Sequence, residues 1–175
     1  MSELLYAAYG SNLHPYRLCA RVPTANLIGI SHIDGYGLRF NKRGKDGSAK
    51  CSIEVAAEKT CVAVYSINTD DTAVLDLIEG LGRGYHRAIV EVSNVGPCWT
   101  YIATPEAVDN TLIPFSWYKR LVMLGCEYHD FPVAYVDAIR AIADVNDPVI
   151  DRHTVNLELV GRLEQVMHKG DFIDR

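Results

Sequence analysis

Residues 4–13 read Leu4-Leu5-Tyr6-Ala7-Ala8-Tyr9-Gly10-Ser11-Asn12-Leu13. The apolar run before Gly10 has the length of a buried strand, and the glycine ends it in a tight turn. Pro15 then opens a short helix, because proline tolerates the first helical position. Glycine lets a chain turn sharply and lets a ligand approach the backbone. Successive free N–H groups at such a turn form a concavity that favours a carboxylate or phosphate. Ser11 and Asn12 add side-chain donors. A plainer reading stands beside this one: Ser or Asn ahead of a helix is a cap.

Outward from that turn the pattern is strand-rich. Residues 25–33 and 36–41 read as two strands around Asp34-Gly35, a hairpin signal. Residues 42–50 read as an exposed loop, and 51–57 and 61–67 as two further strands rich in β-branched residues. Between Asp70 and Glu79 the period changes: Val74, Leu75 and Ile78 share a helical face, Asp70 or Asp71 caps the start and Gly80 ends it. Residues 88–95 and 99–103 read as strands around Gly96-Pro97. Then helices take over. Ser116 caps one with Trp117, Leu121 and Leu124 on a stripe. Pro132 opens a second, burying Val136, Ile139 and Ala143, and Thr154 caps a third, burying Val160, Leu163 and Met167. Strands followed by helices indicate an α+β fold, a twisted or barrel-like mixed sheet covered by late helices, in a single domain over residues 1–175.

Composition narrows the function. The 175 residues are 49% hydrophobic and 22% charged, an ordinary globular balance. Lys and Arg number 17 against 22 Asp and Glu, a net charge of −5, which argues against nucleic acid as the partner. No segment is apolar enough for long enough to span a bilayer, so no membrane partner is expected. The start, Met1-Ser2-Glu3, lacks a basic signal-peptide opening. Five cysteines without a CxxC pair read as reduced thiols, and a cytoplasmic location is expected.

Glu79 is the second position that could carry chemistry. It falls in the last turn of its helix, facing the negative end of the helix dipole, at the edge of the apolar stripe. Both features disfavour the charged carboxylate, the direction a general base near neutrality needs. An exposed glutamate of no consequence is the plainer alternative. The six histidines show no HxH or HExxH spacing, so no metal site is expected. Asp144-x-Asn146 starts like a calcium loop but lacks its glycine and terminal glutamate. Cys126 with His129 is a loose thiol–imidazole spacing, read first as a packed cysteine beside a surface histidine.

Tyr9-Gly10-Ser11-Asn12-Leu13 with Arg17, Leu75-Asp76-x-x-Glu79-Gly80 and Gly84-Tyr85 together resemble the γ-glutamylcyclotransferase family. The likeness continues through Tyr118-Lys119-Arg120, Gly125, Pro132 and Tyr135 to about residue 145. Asn12 is similar to the γ-glutamylcyclotransferase branch; the glutathione-degrading branch tends to lack it. The resemblance implies a small mixed barrel with flanking helices and no metal or organic cofactor. It implies that residues 10–13 bind the α-carboxylate of a γ-glutamyl group, that Glu79 is the general acid and base, and that Tyr118 lines the pocket. One position departs: the family's tyrosine seven residues after the glutamate is His86 here, with Tyr85 beside it.

The implied reaction is ring closure of a γ-glutamyl amide to 5-oxoproline with release of the free amine. The partner is then a small molecule, and a homodimer is compatible with the family. The leaving amine stays open: an amino acid, a polyamine-like amine or a protected biosynthetic intermediate. The acidic net charge leans mildly toward a cationic amine. The expected site is Glu79 with Tyr9, Gly10, Ser11, Asn12, Leu13, Tyr85, His86 and Tyr118. Two other classes compete: a non-catalytic module that keeps the turn for a carboxylated metabolite, and a thiol amidase using Cys126.

Overall fold

Two strands that run far longer than their sequence punctuation suggests organise the molecule, a computed structural model describing residues 3–169. The elements are β1 (Glu3–Ala8), α1 (Pro15–Arg21), β2 (Asn26–Arg43), β3 (Ala49–Asn68), α2 (Thr72–Glu79), β4 (Tyr85–Val92), β5 (Gly96–Ala103), α3 (Ser116–Tyr128), α4 (Val133–Arg140) and α5 (Ile150–Lys169). The sheet order is β2-β3-β1-β5-β4. β1 is antiparallel to β3 and parallel to β5, with Tyr6 opposite Trp99; the other pairs are antiparallel. The two ends of the sheet curl together: Ser93 N–H donates to the His32 carbonyl (2.9 Å) and the Ser31 hydroxyl to the Ser93 carbonyl (2.5 Å). The α+β class and barrel-like curl match the sequence reading.

The hairpin expected at Asp34-Gly35 is not a reversal. It is an irregularity inside one long ladder, where pairing passes from Asp34–Lys59 to Tyr36–Val55 and Gly35 takes φ +78°. The chain holds two Asp-Gly steps, and the second, Asp46-Gly47, reverses it: Gly47 takes φ +81° and Gly44 N–H donates to the Ser48 carbonyl (2.8 Å). The expected loop 42–50 therefore shrinks to that tip, and four expected strands are two. The β4–β5 turn also moves, from Gly96-Pro97 to residues 93–95, with Val95 N–H on the Val92 carbonyl (3.0 Å) and Asn94 at φ +60°.

Helix starts differ in detail. Asn68 rather than an aspartate accepts from Asp70 N–H (3.2 Å) in a 3₁₀ turn that leads into α2. Ser116 is the first residue of α3, not its cap, and its hydroxyl reaches Asn146 Oδ1 (3.2 Å). Thr154 lies inside α5, and Ala143 lies beyond α4 and is exposed. Val136, Ile139, Val160 and Leu163 are buried as expected. The burial expected of Met167 concerns a side chain outside the described ones.

The core fixes the turn after β1. A Cβ on Gly125 of α3 would stand 2.4 Å from Leu13 Cβ and 3.1 Å from His14 N, so only glycine lets the helix lie this close. The Leu13 carbonyl accepts from the Tyr65 hydroxyl (2.6 Å) and lies 2.8 Å from His129 Nε2. Leu13, Leu18, Tyr65, Leu121 and Leu124 are all buried around it. The turn that carries Gly10 to Asn12 is thus clamped by the core rather than left as a free loop.

Candidate active site

Alternation along β1 sends Tyr6 and Ala8 to one face and Ala7 to the other, yet the curl of the sheet buries all three, and Tyr9, just past the strand, is buried too. Beyond β1 the chain tightens, with Leu13 N–H donating to the Gly10 carbonyl (3.0 Å). Gly10 does not have a positive φ; it is small because a Cβ there would lie 3.2 Å from Cys51 Cβ and 3.6 Å from the Tyr118 hydroxyl. Among the described residues the N–H groups of Ser11 and Asn12 have no protein acceptor. Ser11 and Asn12 do not cap α1: its first turn begins at Pro15, after His14.

Glu79 ends α2, and Gly80 follows in the left-handed conformation (φ 75°). That sharp stop aims the carboxylate back at the turn. Asn12 Nδ2 donates to Glu79 Oε1 at 2.9 Å and to the Tyr6 hydroxyl at 3.3 Å. Arg21, from the end of α1, donates to Asn12 Oδ1 (2.8 Å) and to the same Glu79 Oε1 (3.2 Å). The last-turn position of Glu79 is as the sequence reads, but the ion pair with Arg21 opposes the helix dipole by stabilising the negative charge. Both donors fall on Oε1; among the described residues Oε2 has none.

A slot of about 30 Å³ lies above this group, lined by Tyr6, Tyr9, Cys51, Tyr85, Tyr101 and Tyr118 together with residues 10–12 and Glu79. It has room for a group about the size of a carboxylate, given that a water needs roughly 10–15 Å³ on such a measure. The hydroxyls are committed in different ways. Tyr9 donates to the Tyr101 carbonyl, and Tyr85 to the Cys51 carbonyl at 2.5 Å. Tyr118 instead accepts from Cys51 N–H (3.0 Å), and its own hydrogen reaches no protein oxygen among the described residues. Burial pushes the Tyr6, Tyr9, Tyr85 and Tyr118 hydroxyls upward, so all four stay protonated donors near neutrality. Burial likewise pushes the Cys51 thiol up to about 12, which leaves no thiolate in the slot.

The slot opens into a vestibule of about 320 Å³ that shares Ser11, Glu79, Tyr85 and Tyr118. A larger apolar groove, about 1090 Å³, lies elsewhere, between the β2–β3 arm and α4, and none of the site residues named above lines it.

Of the expected residues, Tyr9, Gly10, Ser11, Asn12, Tyr85, Tyr118 and Glu79 converge on this slot. Leu13 does not line it; it is wholly buried and anchors the turn. His86 is exposed and outside both cavities, because the strand alternation of β4 turns Tyr85 inward and His86 outward. Sequence reasoning missed Tyr6, Tyr101, Cys51 and Arg21. The two tyrosines were legible as inward strand positions; Arg21, nine residues from Asn12 in the chain, carried no local signal. Cys126 is fully buried, its thiol raised by burial, and His129 Nε2 lies against the Leu13 carbonyl, so no thiol–imidazole dyad forms. Among the described residues no group of three or more His, Cys, Asp or Glu could hold a metal ion, and no helix is long and apolar enough to cross a membrane.

The family model described as gamma-glutamyl cyclotransferase, AIG2-like, matches residues 6–120. A Homo sapiens protein named gamma-glutamylcyclotransferase is 25% identical over 152 residues, 80% of this chain and 79% of that protein. The Bos taurus protein of the same name is 28% identical over the same span and shares. A solved structure titled gamma-glutamyl cyclotransferase superposes with a TM-score of 0.77 at 21% identity, covering 92% of this chain and 99% of that one. A second, of a human protein, gives 0.73 at 23% identity, covering 88% and 99%.

Proposed function

Since the chain belongs to the gamma-glutamyl cyclotransferase, AIG2-like family, we propose that it is an enzyme that cyclises a γ-glutamyl amide to 5-oxoproline and releases the free amine. The observation that carries this is the 2.9 Å hydrogen bond from Asn12 to Glu79, which joins the anion-binding turn to the one carboxylate of the slot.

The chemistry needs little machinery. The substrate's own α-nitrogen attacks its γ-carbonyl carbon, the ring C–N bond forms, and the original amide C–N bond breaks. The α-amine arrives as an ammonium and cannot attack until a proton leaves it. Glu79 takes that proton on Oε2 and passes it to the departing nitrogen; it then takes the second proton that the ring nitrogen must lose, and the freed amine picks that one up and leaves as an ammonium. Arg21 and Asn12 hold Oε1, which keeps the carboxylate in one orientation before substrate arrives. Acid–base help of this kind is worth roughly 10²–10⁴-fold.

Positioning supplies the rest. The unpartnered N–H groups of Ser11 and Asn12 bind the α-carboxylate, which folds the flexible glutamyl chain toward its ring-closing shape; such orientation is worth up to about 7–11 kcal/mol. Tyr118, kept protonated by burial and with its hydrogen shared only with the weak acceptor Cys51, turns that hydroxyl hydrogen to the oxygen that gains charge in the tetrahedral intermediate. Tyr85 lines the slot and His86 does not, which supports reading Tyr85 in the role of the family's tyrosine. A module that merely bound a carboxylate would not need a base poised beside its anion site.

The test is a panel of γ-glutamyl amides scored for both 5-oxoproline and glutamate. We expect 5-oxoproline and the free amine in equal amounts. Glutamate as the product would mean hydrolysis and would end this mechanism; tight binding without turnover would leave the binding module.

A further inference from the structure

We propose that the leaving amine is polyanionic, an amine bearing two acidic groups, selected by the cationic vestibule outside the slot. The inference rests on the cyclotransferase reading and names the substrate class for it.

The chain carries a net charge of −5, yet the vestibule is lined by six cations, Arg17, Arg21, Lys42, Lys45, Lys50 and Arg83. Among the described residues only two carboxylates face them, Asp46 and Glu79. Each of these is already matched, Glu79 with Arg21 at 3.2 Å and Asp46 with Lys50 at 2.7 Å. Among the described residues the other four, Arg17, Lys42, Lys45 and Arg83, have no salt-bridge partner.

Two of the four are withdrawn from water, where an uncompensated charge is costly. Lys42 is only 5% exposed. Its Nζ stands 4.4 Å from the centre of the Tyr85 ring, on the wall shared with the slot. Gly84 makes room for it, since a Cβ there would lie 2.9 Å from Lys42 Cε. The Nε of Arg17 is buried with no hydrogen-bond partner. Burial lowers the proton affinity of both, that of Arg17 to about 9, and a second arginine, Arg21, adds to the effect there. An anion entering the vestibule relieves both strains at once.

The glutamyl α-carboxylate is met by the turn, so the vestibule cations are left for the other half of the molecule. A polyamine-like amine would place its charge against four unpaired cations. The overall acidity of the chain, which leans the other way, is therefore a poor guide: the local field at the site has the opposite sign.

The experiment compares kcat/KM for 5-oxoproline release from γ-glutamyl-glutamate, γ-glutamyl-alanine and γ-glutamylputrescine at low salt. We expect that order, with about a hundredfold between the first and last and a ratio that shrinks as salt is raised. Lys42→Met should cut the glutamate-to-alanine ratio about tenfold. Because that variant disturbs a buried position, the double variant Lys45→Gln, Arg83→Gln, both exposed, provides an independent reduction of the same ratio. Equal turnover of the three, a preference for putrescine, or a ratio indifferent to salt and to both variants overturns this proposal while leaving the cyclotransferase reading intact. No 5-oxoproline from any of the three overturns that reading and this one together.

Discussion

The slot and the vestibule share Ser11, Glu79, Tyr85 and Tyr118, but one is walled by tyrosines and the other by lysines and arginines. In the slot three key side chains are each oriented by another group: Asn12 by Arg21, Glu79 by Asn12, Tyr118 by the Cys51 amide. In the vestibule four of the six cations have no salt-bridge partner among the described residues. The difference teaches a division of labour. Short, directional hydrogen bonds fix geometry and suit the invariant half of a substrate, the glutamyl group. Unpaired charge acts at longer range with little directional demand and suits the variable half.

Breaking the slot should therefore damage all substrates alike, whatever their leaving group. The largest effect is expected of Glu79→Gln. The amide keeps an oxygen to accept from Asn12 and Arg21, so the fold and Tm should hold. Turnover should drop by roughly 10²–10⁴-fold on every amide of the panel, the range for a lost acid–base group. Near-normal turnover, measured as 5-oxoproline release, would remove Glu79 from the mechanism.

Gly10→Val comes next. Its Cβ meets Cys51 at 3.2 Å before the branching methyls are placed. Overpacking of about 1–3 kcal/mol is expected, and taken out of binding it raises KM by roughly five- to 150-fold. Calorimetric titration with a γ-glutamyl ligand that cannot cyclise checks it, and unchanged affinity would show that the turn does not touch the ligand. The smallest effect is expected of Tyr118→Phe, a fall in kcat of about tenfold, the net worth of one ordinary hydrogen bond, with KM little changed. The same variant strands the Cys51 amide, at a cost of about 1–3 kcal/mol, so Tm should fall too. A change confined to one leaving group in any of these three would blur the comparison; a uniform change sharpens it.

How much of this was readable beforehand varies by element. The β1 strand, the Gly80 stop of α2, the buried stripe of α3 and the burial of Val160 and Leu163 on α5 follow from apolar period and terminal residues, and all appear in the fold. The long β2–β3 hairpin was misread because Asp34-Gly35 and Asp46-Gly47 carry the same local signal. Which one reverses the chain depends on the partner strand. His86 and Tyr85 could not be ranked from the sequence, since strand phase is set by pairing with β5.

The sequence by itself determined the pieces: a strand emptying into Gly10-Ser11-Asn12 and a helix ending on Glu79. These are local matters of period, chain stops and residue type. The tertiary structure alone decided that Arg21 meets Glu79 and that Lys42 enters the wall of an otherwise acidic protein. Contacts between residues tens of positions apart, and the sign of the field they create, depend on how the sheet curls and not on neighbours in the chain.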